Sequence, residues 1–313
     1  MFALIGWRLA VMIPNAVLLT FLLFATVTSF LGTPAAIMLG EEASPEAVAE
    51  LNASMGFDAP LLERYWNWVS SAFSGDFGRS YSTQQPVGRM IADALPLTLE
   101  LAVWAIFIAF AGAVLINSAT ILRSVVDRVT TAVSIVGITV PNFFLGLILI
   151  YVFSIYLRLL PTTGWSPWSA GVGLHLQHMI LPALTLTAFY FSSFSLVYKG
   201  EYQATEGSLF VRAARSKGLS EARISYRHIL PNSILPLITY AGLSLGQLVG
   251  GAVVTETVFS MPGMGRLLVN AINTRDFPVM LAVGMVIIVG VMLMNLVADL
   301  TYSLINPLVR TAR

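Results

Sequence analysis

Apolar runs long enough to cross a bilayer recur along this chain, and they restrict its fold more than any motif does. They lie at about 9–30, 96–119, 129–157, 179–198, 233–255 and 279–305. About twenty predominantly apolar residues are needed to span the hydrocarbon core as a helix, and only helices or closed barrels satisfy their backbone there. A mean hydropathy of +0.80, with 57% hydrophobic and 11% charged residues, excludes an ordinary soluble domain. The expected fold class is an all-α polytopic membrane protein with six transmembrane helices.

Three parts are expected: a first helix over 1–31, a polar extracytoplasmic helical insert over 32–95, and a five-helix core over 96–313. The first run is too long for a typical signal-peptide core and reads as an uncleaved helix. In the insert, Ser44-Pro45-Glu46 has the order of a cap, a first-turn proline and a first-turn acid, so a short helix should follow and end near Met55-Gly56. Asp58 should cap a second, whose face Tyr65, Trp66, Trp68 packs on the membrane part rather than forming a ligand cage. Cations set the orientation. Arg8, Arg123, Arg128, Lys199, Arg212, Arg215, Lys217, Arg223, Arg227, Arg310 and Arg313 fall on the side of both termini, against Arg64, Arg79, Arg89, Arg158, Arg266 and Arg275 opposite. The termini are therefore expected in the cytoplasm.

Several functional classes lack their residues. There is no cysteine, hence no disulfide, thiolate zinc site or thiol nucleophile. Glu100, Glu256 and Asp299 sit toward span ends rather than near a midplane, and no chain of acids and histidines suggests a proton relay, which disfavours a proton- or sodium-coupled carrier. His175-x-x-His178 is expected in an outer loop without a neighbouring acid and too poor in ligands for a metal. No serine has a His or Lys in register for nucleophilic catalysis, and no phosphate loop is present. The chain reads as non-catalytic.

Within the fifth run Gly242, Gly246 and Gly250 repeat every fourth residue, with Ser244 and Gln247 on an adjacent stripe and Thr255 near its end. Such small-residue faces admit close helix approach; tight packing inside the chain and a pathway or subunit-facing role both fit. Asn295, Asp299, Tyr302 and Asn306 make one polar helix face, and Pro141-Asn142 should kink the third run.

The most distinctive water-exposed stretch is 210–231. Four arginines and one lysine fall between Arg212 and Arg227. Ala213 to Lys217 favours helix, Gly218 can take the left-handed position after it, and Ser220 can cap a second short helix. A bent helix pair between two spans results. An anionic-lipid anchor is the plain alternative for so basic a run.

Together these residues resemble the permeases of binding-protein-dependent ABC importers, specifically the dipeptide/oligopeptide/nickel family, over nearly the whole chain. Gly75-Asp76-Phe77-Gly78-Arg79-Ser80, the stretch from Leu95-Pro96 to Glu100-Leu101-Ala102, Pro141-Asn142-Phe143-Phe144-Leu145-Gly146 and Leu160-Pro161 carry the likeness. So do Glu256-Thr257-Val258-Phe259, Pro262-Gly263-Met264-Gly265-Arg266 and Arg275-Asp276-Phe277-Pro278-Val279. Ala213-Ala214, Gly218 and Leu230-Pro231 keep the spacing of the family's cytoplasmic coupling motif, with Arg212 where the family has Glu and His228 where it has Ile.

The resemblance implies a type I ABC importer permease with coupling helices at about 199–232. Residues Phe210, Arg212, Ala213, Ala214, Arg215, Lys217, Gly218, Leu219, Ser220 and Glu221 would dock in an ATPase subunit. Asn142, Gly242, Ser244, Gly246, Gln247, Gly250 and Thr255 would line the pathway or a subunit interface. Glu256, Phe259, Pro262, Gly263, Gly265 and Arg266 would face the substrate-binding protein, so deleting 263–266 should impair stimulation by that protein while leaving assembly intact. Implied partners are a homologous second permease, two ABC ATPases, the extracytoplasmic binding protein and membrane lipid, with no nucleic acid. No cofactor is bound directly, ATP and magnesium belonging to the ATPases. Peptides are the expected cargo, with nickel or metal chelates or glutathione as alternatives; a homo-oligomeric channel is a more remote one. The implied location is the bacterial inner membrane.

Overall fold

The apolar runs fold as helices, and the helices outrun them. The computed structural model describes residues 2–30, 35, 39, 43–54, 56–120 and 124–305. In chain order the described helices are α1 (Phe2–Phe30), α2 (Pro45–Ser54), α3 (Leu61–Phe73), α4 (Val87–Thr120), α5 (Ser124–Thr139), α6 (Asn142–Leu149), α7 (Val172–Glu206), α8 (Leu209–Ser216), α9 (Glu221–Ile224), α10 (Leu230–Gly251), α11 (Val253–Val258), α12 (Met264–Asn273) and α13 (Phe277–Ile305). Asn306, Arg123, Arg310 and Arg313 lie outside the described residues, as does the side chain of Tyr302.

Five helices are long and apolar enough to cross a membrane, or six when a bent pair counts as one span. That pair corrects the third run. Instead of one kinked helix, α5 and the helix that α6 forms with its π-helical extension (Ile150–Tyr156) are bent by 106° at a short break. Proline drives the residue before it out of the helical region, and Pro141 is itself extended, with φ −61° and ψ 135°. Its carbonyl then starts a new helix by accepting from the N–H groups of Phe144 and Leu145. By contrast Pro96 and Pro182 lie inside α4 and α7, so those helices begin before the expected starts at 96 and 179.

The chain divides into two compact units, Met1–Thr98 with Pro262–Met292, and Leu99–Met261 with Leu293–Arg313. The first thus joins the N-terminal helix and the insert, which the sequence reading separates. Its core gathers Phe24, Tyr65, Val69, Ile91, Met264 and Phe277. The Tyr65 hydroxyl pairs with Thr20 Oγ1 at 2.9 Å and donates to the Val17 carbonyl, while its ring meets Phe21 and Phe24 edge-on. Tyr65 and Trp68 of α3 therefore pack on α1, whereas Trp66, expected on the same face, is exposed. Ser44 Oγ accepts from Ala47 N–H as a cap should. Asp58 does not cap α3, because Pro60 takes the N-cap position.

In the second unit small residues set the helix spacing. A Cβ on Gly137 of α5 would lie 2.1 Å from Ser192 Oγ of α7. Lys199, 6% exposed, reaches from α7 to the start of α5. There its ammonium pairs with the Asp127 carboxylate and donates to the Asp127 carbonyl, Thr130 and Thr131. Buried ammonium needs such saturation.

Candidate functional site

The stretch after α7 forms a helical hairpin whose shape comes from backbone hydrogen bonds. At the end of α8 the Gly218 N–H donates to the Arg215 carbonyl at 2.9 Å, and the Leu219 N–H to the Ala214 carbonyl at 3.4 Å. That pairing closes a helix with a left-handed residue in the position after the cap, and Gly218 has φ +76°. Ser220 occupies the N-cap position of α9 with extended backbone but makes no side-chain cap bond, contrary to expectation. α9 then passes through a π-helical turn (Ser225–Ile229) into α10.

Val211, Ala214 and Ile224 are buried and seat the hairpin on the chain. Its outer face carries Phe210, Arg212, Ala213, Lys217 and Gly218, all exposed, with Leu219 half-buried. Ala214 therefore packs inward instead of presenting itself to a partner. Leu209, which the sequence reading left out, is 81% exposed beside Phe210 at 48%. A leucine-phenylalanine pair at the start of an otherwise basic helix is the signal that marks it. Arg215 is internal bracing: its guanidinium donates to Glu221 through Nε and Nη2, and to Glu206 through Nη2 at 2.9 Å. Hydrogen bonds to the Glu221 and Glu206 carboxylates hold its pKa above the ordinary arginine value.

The expected pathway residues differ in burial and in what they touch. Gly242 packs on α13, where a Cβ would meet the Ala298 methyl at 3.1 Å. Gly246 is buried, while Gly250 and Gln247 are exposed. Ser244 is buried and donates to the Tyr240 carbonyl. Thr255 is buried and its hydroxyl has no hydrogen-bond partner among the described residues. Asn142 opens α6, half-buried.

The residues expected to face a binding protein are mostly covered by their own chain. In the second unit Glu256 and Phe259 are 0% and 2% exposed. In the first, Gly263 and Gly265 are buried, leaving Pro262 exposed and Arg266 half-buried. Met264 is buried too, and its N–H donates to Thr98 Oγ1 at 2.9 Å. Deleting 263–266 would remove that anchor as well as the loop.

Two buried polar constellations escaped the sequence reading. Asp276, 1% exposed, accepts from the Ser80 hydroxyl, the Tyr81 and Ser82 N–H groups and the Ser82 hydroxyl. Burial, then the Asp276 carboxylate, raises the pKa of the Tyr81 phenol. His175 lies in α7, not in a loop, and it does have an acid: Nε2 meets Glu100 at 2.9 Å and Nδ1 donates to the Ser166 carbonyl at 2.7 Å. A carbonyl only accepts, so Nδ1 holds a proton and the imidazole shares a second with Glu100. Trp168 stacks on the ring at 3.8 Å. Both ring nitrogens are engaged, and His178 points its Nδ1 at the Leu174 carbonyl. These histidines do not converge on a metal.

Comparisons with known proteins agree with this architecture. Residues 105–311 match the family described as binding-protein-dependent transport system inner membrane component, and residues 4–102 match its N-terminal counterpart. The glutathione transport system permease protein GsiC of Escherichia coli (strain K12) is 36% identical over 307 residues, covering 97% of both chains. GsiC of Salmonella typhi is equally similar, 36% over 97% of each. Among solved structures, an amino acid ABC transporter aligns with a TM-score of 0.54 at 16% identity, over 68% of this chain and 92% of that one. The inward-facing MetNI methionine ABC transporter aligns at 0.54 and 17%, over 69% and 96%. These two share the fold alone. The chain belongs to the binding-protein-dependent transport system inner membrane components, the permease subunits of ABC importers.

Proposed function

We propose that this permease couples ATP hydrolysis on partner ATPase subunits to import of a peptide, through the hairpin at 209–229. One observation carries the reading: an exposed helix pair, seated by three buried side chains and bent by a left-handed glycine, lies between two long apolar helices. Leu209 and Phe210 supply an apolar tip for an ATPase cleft, and Arg212 and Lys217 a cationic flank. Closure of two ATPases would then move the hairpin as a unit and tilt α7 and α10. A homologous second permease would complete the pathway, with Gly250 and Gln247 on the face offered to it. ATP and magnesium stay on the ATPases, and this chain does no chemistry on them.

For orientation, the cation asymmetry supports cytoplasmic termini and an insert on the outside, where a binding protein would deliver cargo. Glutathione is a tripeptide, so the similarity to GsiC supports peptide cargo in general and glutathione in particular. Thermal-shift screening of the cognate binding protein against glutathione and short peptides separates the two.

The hairpin reading is tested at Gly218. No heavy atom lies within 4 Å of a Cβ placed there, so a substitution meets only the backbone cost, about 1–2 kcal/mol for left-handed conformation. That cost is least for Asn and worst for β-branched residues. Gly218→Val in the reconstituted complex should hydrolyse ATP without importing, while Gly218→Asn should import. Wild-type import by the valine variant would sink the reading, as would purification of the intact complex without ATPase subunits.

A further inference from the structure

The first unit contains a pocket of about 390 Å³ lined by none of the hairpin residues. Its walls differ in chemistry. Phe24 and Thr28 come from the end of α1, and Phe277 and Leu281 from the start of α13, both membrane-crossing helices; Arg64 and Trp68 come from α3 of the polar insert. The pocket is thus apolar where spans build it and cationic where the insert does.

Arg64 is the unusual member. It is half-buried, and its guanidinium lies over the Phe57 ring at 4.2 Å and near the Phe24 ring at 5.9 Å. No carboxylate lies within salt-bridge distance of it among the described residues, although Asp76 lines the same pocket; that carboxylate accepts from the Gly78 N–H. Burial lowers the guanidinium pKa, as expected of a cation desolvated without an anion. The rings approach the guanidinium carbon, and the group carries five in-plane N–H donors. A planar fork of that kind fits two oxygens of a carboxylate or phosphate. The Trp68 indole N–H, in the same wall, is buried without an acceptor among the described residues.

We propose that this pocket binds the phosphodiester headgroup of a membrane phospholipid, with Arg64 as its anion contact. The position argues for a lipid over a soluble anion. A third of the lining belongs to the helices long and apolar enough to cross the bilayer, so acyl chains can leave along Phe277 and Leu281 while the phosphate stays at the insert. A soluble anion would gain nothing from that part.

Native mass spectrometry of the purified complex, delipidated and then titrated with phosphatidylglycerol, tests this. Wild type should keep one lipid that survives collisional activation, and Arg64→Gln should bind it about tenfold more weakly. Ser71→Trp should do the same by filling the pocket mouth at an exposed position, without touching the cation. Arg89→Gln, an exposed cation away from the lining, should leave it unchanged. Equal retention by wild type, Arg64→Gln and Ser71→Trp, all folded by thermal unfolding, would overturn the proposal. Displacement by millimolar inorganic phosphate would also overturn it, marking a soluble-anion site.

Discussion

In the hairpin around Gly218 the charges lie in water and the backbone holds the shape; around Asp276 the charge is buried and holds the backbone. The two places end their helices in the same way. After α8, Gly218 takes the left-handed position; after α12, Arg275 takes it with φ +52°, its N–H donating to the Ile272 carbonyl and the Asp276 N–H to the Ala271 carbonyl. One closure uses the residue that costs nothing there. The other uses an arginine, at about 1–2 kcal/mol, and is followed at once by a carboxylate with four donors from residues 80–82. A surface that must enter a partner cannot lean on buried polar groups, whereas a buried joint can carry strain.

The comparison breaks first at Asp276. Asp276→Ala would leave a buried Ser80 hydroxyl and the backbone donors beside it without an acceptor. Hydrogen bonds to a charged group contribute about 1.5–3 kcal/mol, and an orphaned buried donor costs about 1–3. A loss of about 3 kcal/mol is expected, read as a lower unfolding temperature of the detergent-solubilised protein. Asp276→Asn, which still accepts through one oxygen, should lose about half of that. If the alanine variant unfolds with wild type, the buried charge does not hold this joint.

Arg275→Gly sharpens the contrast from the other side. Glycine removes the left-handed strain but brings about 0.5–1 kcal/mol of extra unfolded-state entropy. Arg275 is exposed, so little packing is lost. A net gain of about 0.5 kcal/mol is expected, a small rise in unfolding temperature. A decrease would mean that the arginine side chain itself contributes to the joint.

This difference also decides what could be read from sequence. The hairpin is local: Ala213, Ala214 and Gly218 lie within one turn and its exit, so propensity and the glycine position give its form directly. Even there, Ser220 takes the cap position without making the bond, since position fixes the backbone and not the rotamer. Asp276 and Ser80 are 196 residues apart, and His175 and Glu100 are 75 apart. No periodicity pairs such residues. Both partners of the Asp276 joint stood in familiar motifs, Gly75 to Ser80 and Arg275 to Val279, yet motif order says nothing of proximity. Pro141 announced a break in the third span; the 106° angle depends on what α5 and α6 pack against, which a hydropathy profile does not contain.

The smallest effect should come from Arg215, although it makes more charged hydrogen bonds than any other arginine in the hairpin. Its guanidinium and the Glu206 and Glu221 carboxylates are 38%, 45% and 59% exposed. At such exposure, water and salt screen the attraction, and ordering three long side chains offsets much of the remainder. Arg215→Gln should therefore unfold at the wild-type temperature within error, in low and high salt alike. Because both carboxylates hold the Arg215 pKa above its already high ordinary value, the charge is constant from about pH 5 to about pH 9. The arginine thus contributes no pH dependence to stability in that range. Thermal unfolding at both salt concentrations and across that pH range, beside Asp276→Ala, measures the contrast. A loss at Arg215 as large as the loss at Asp276 would show that the hairpin is held by its charges, and the division between backbone-held surface and charge-held joint would fail.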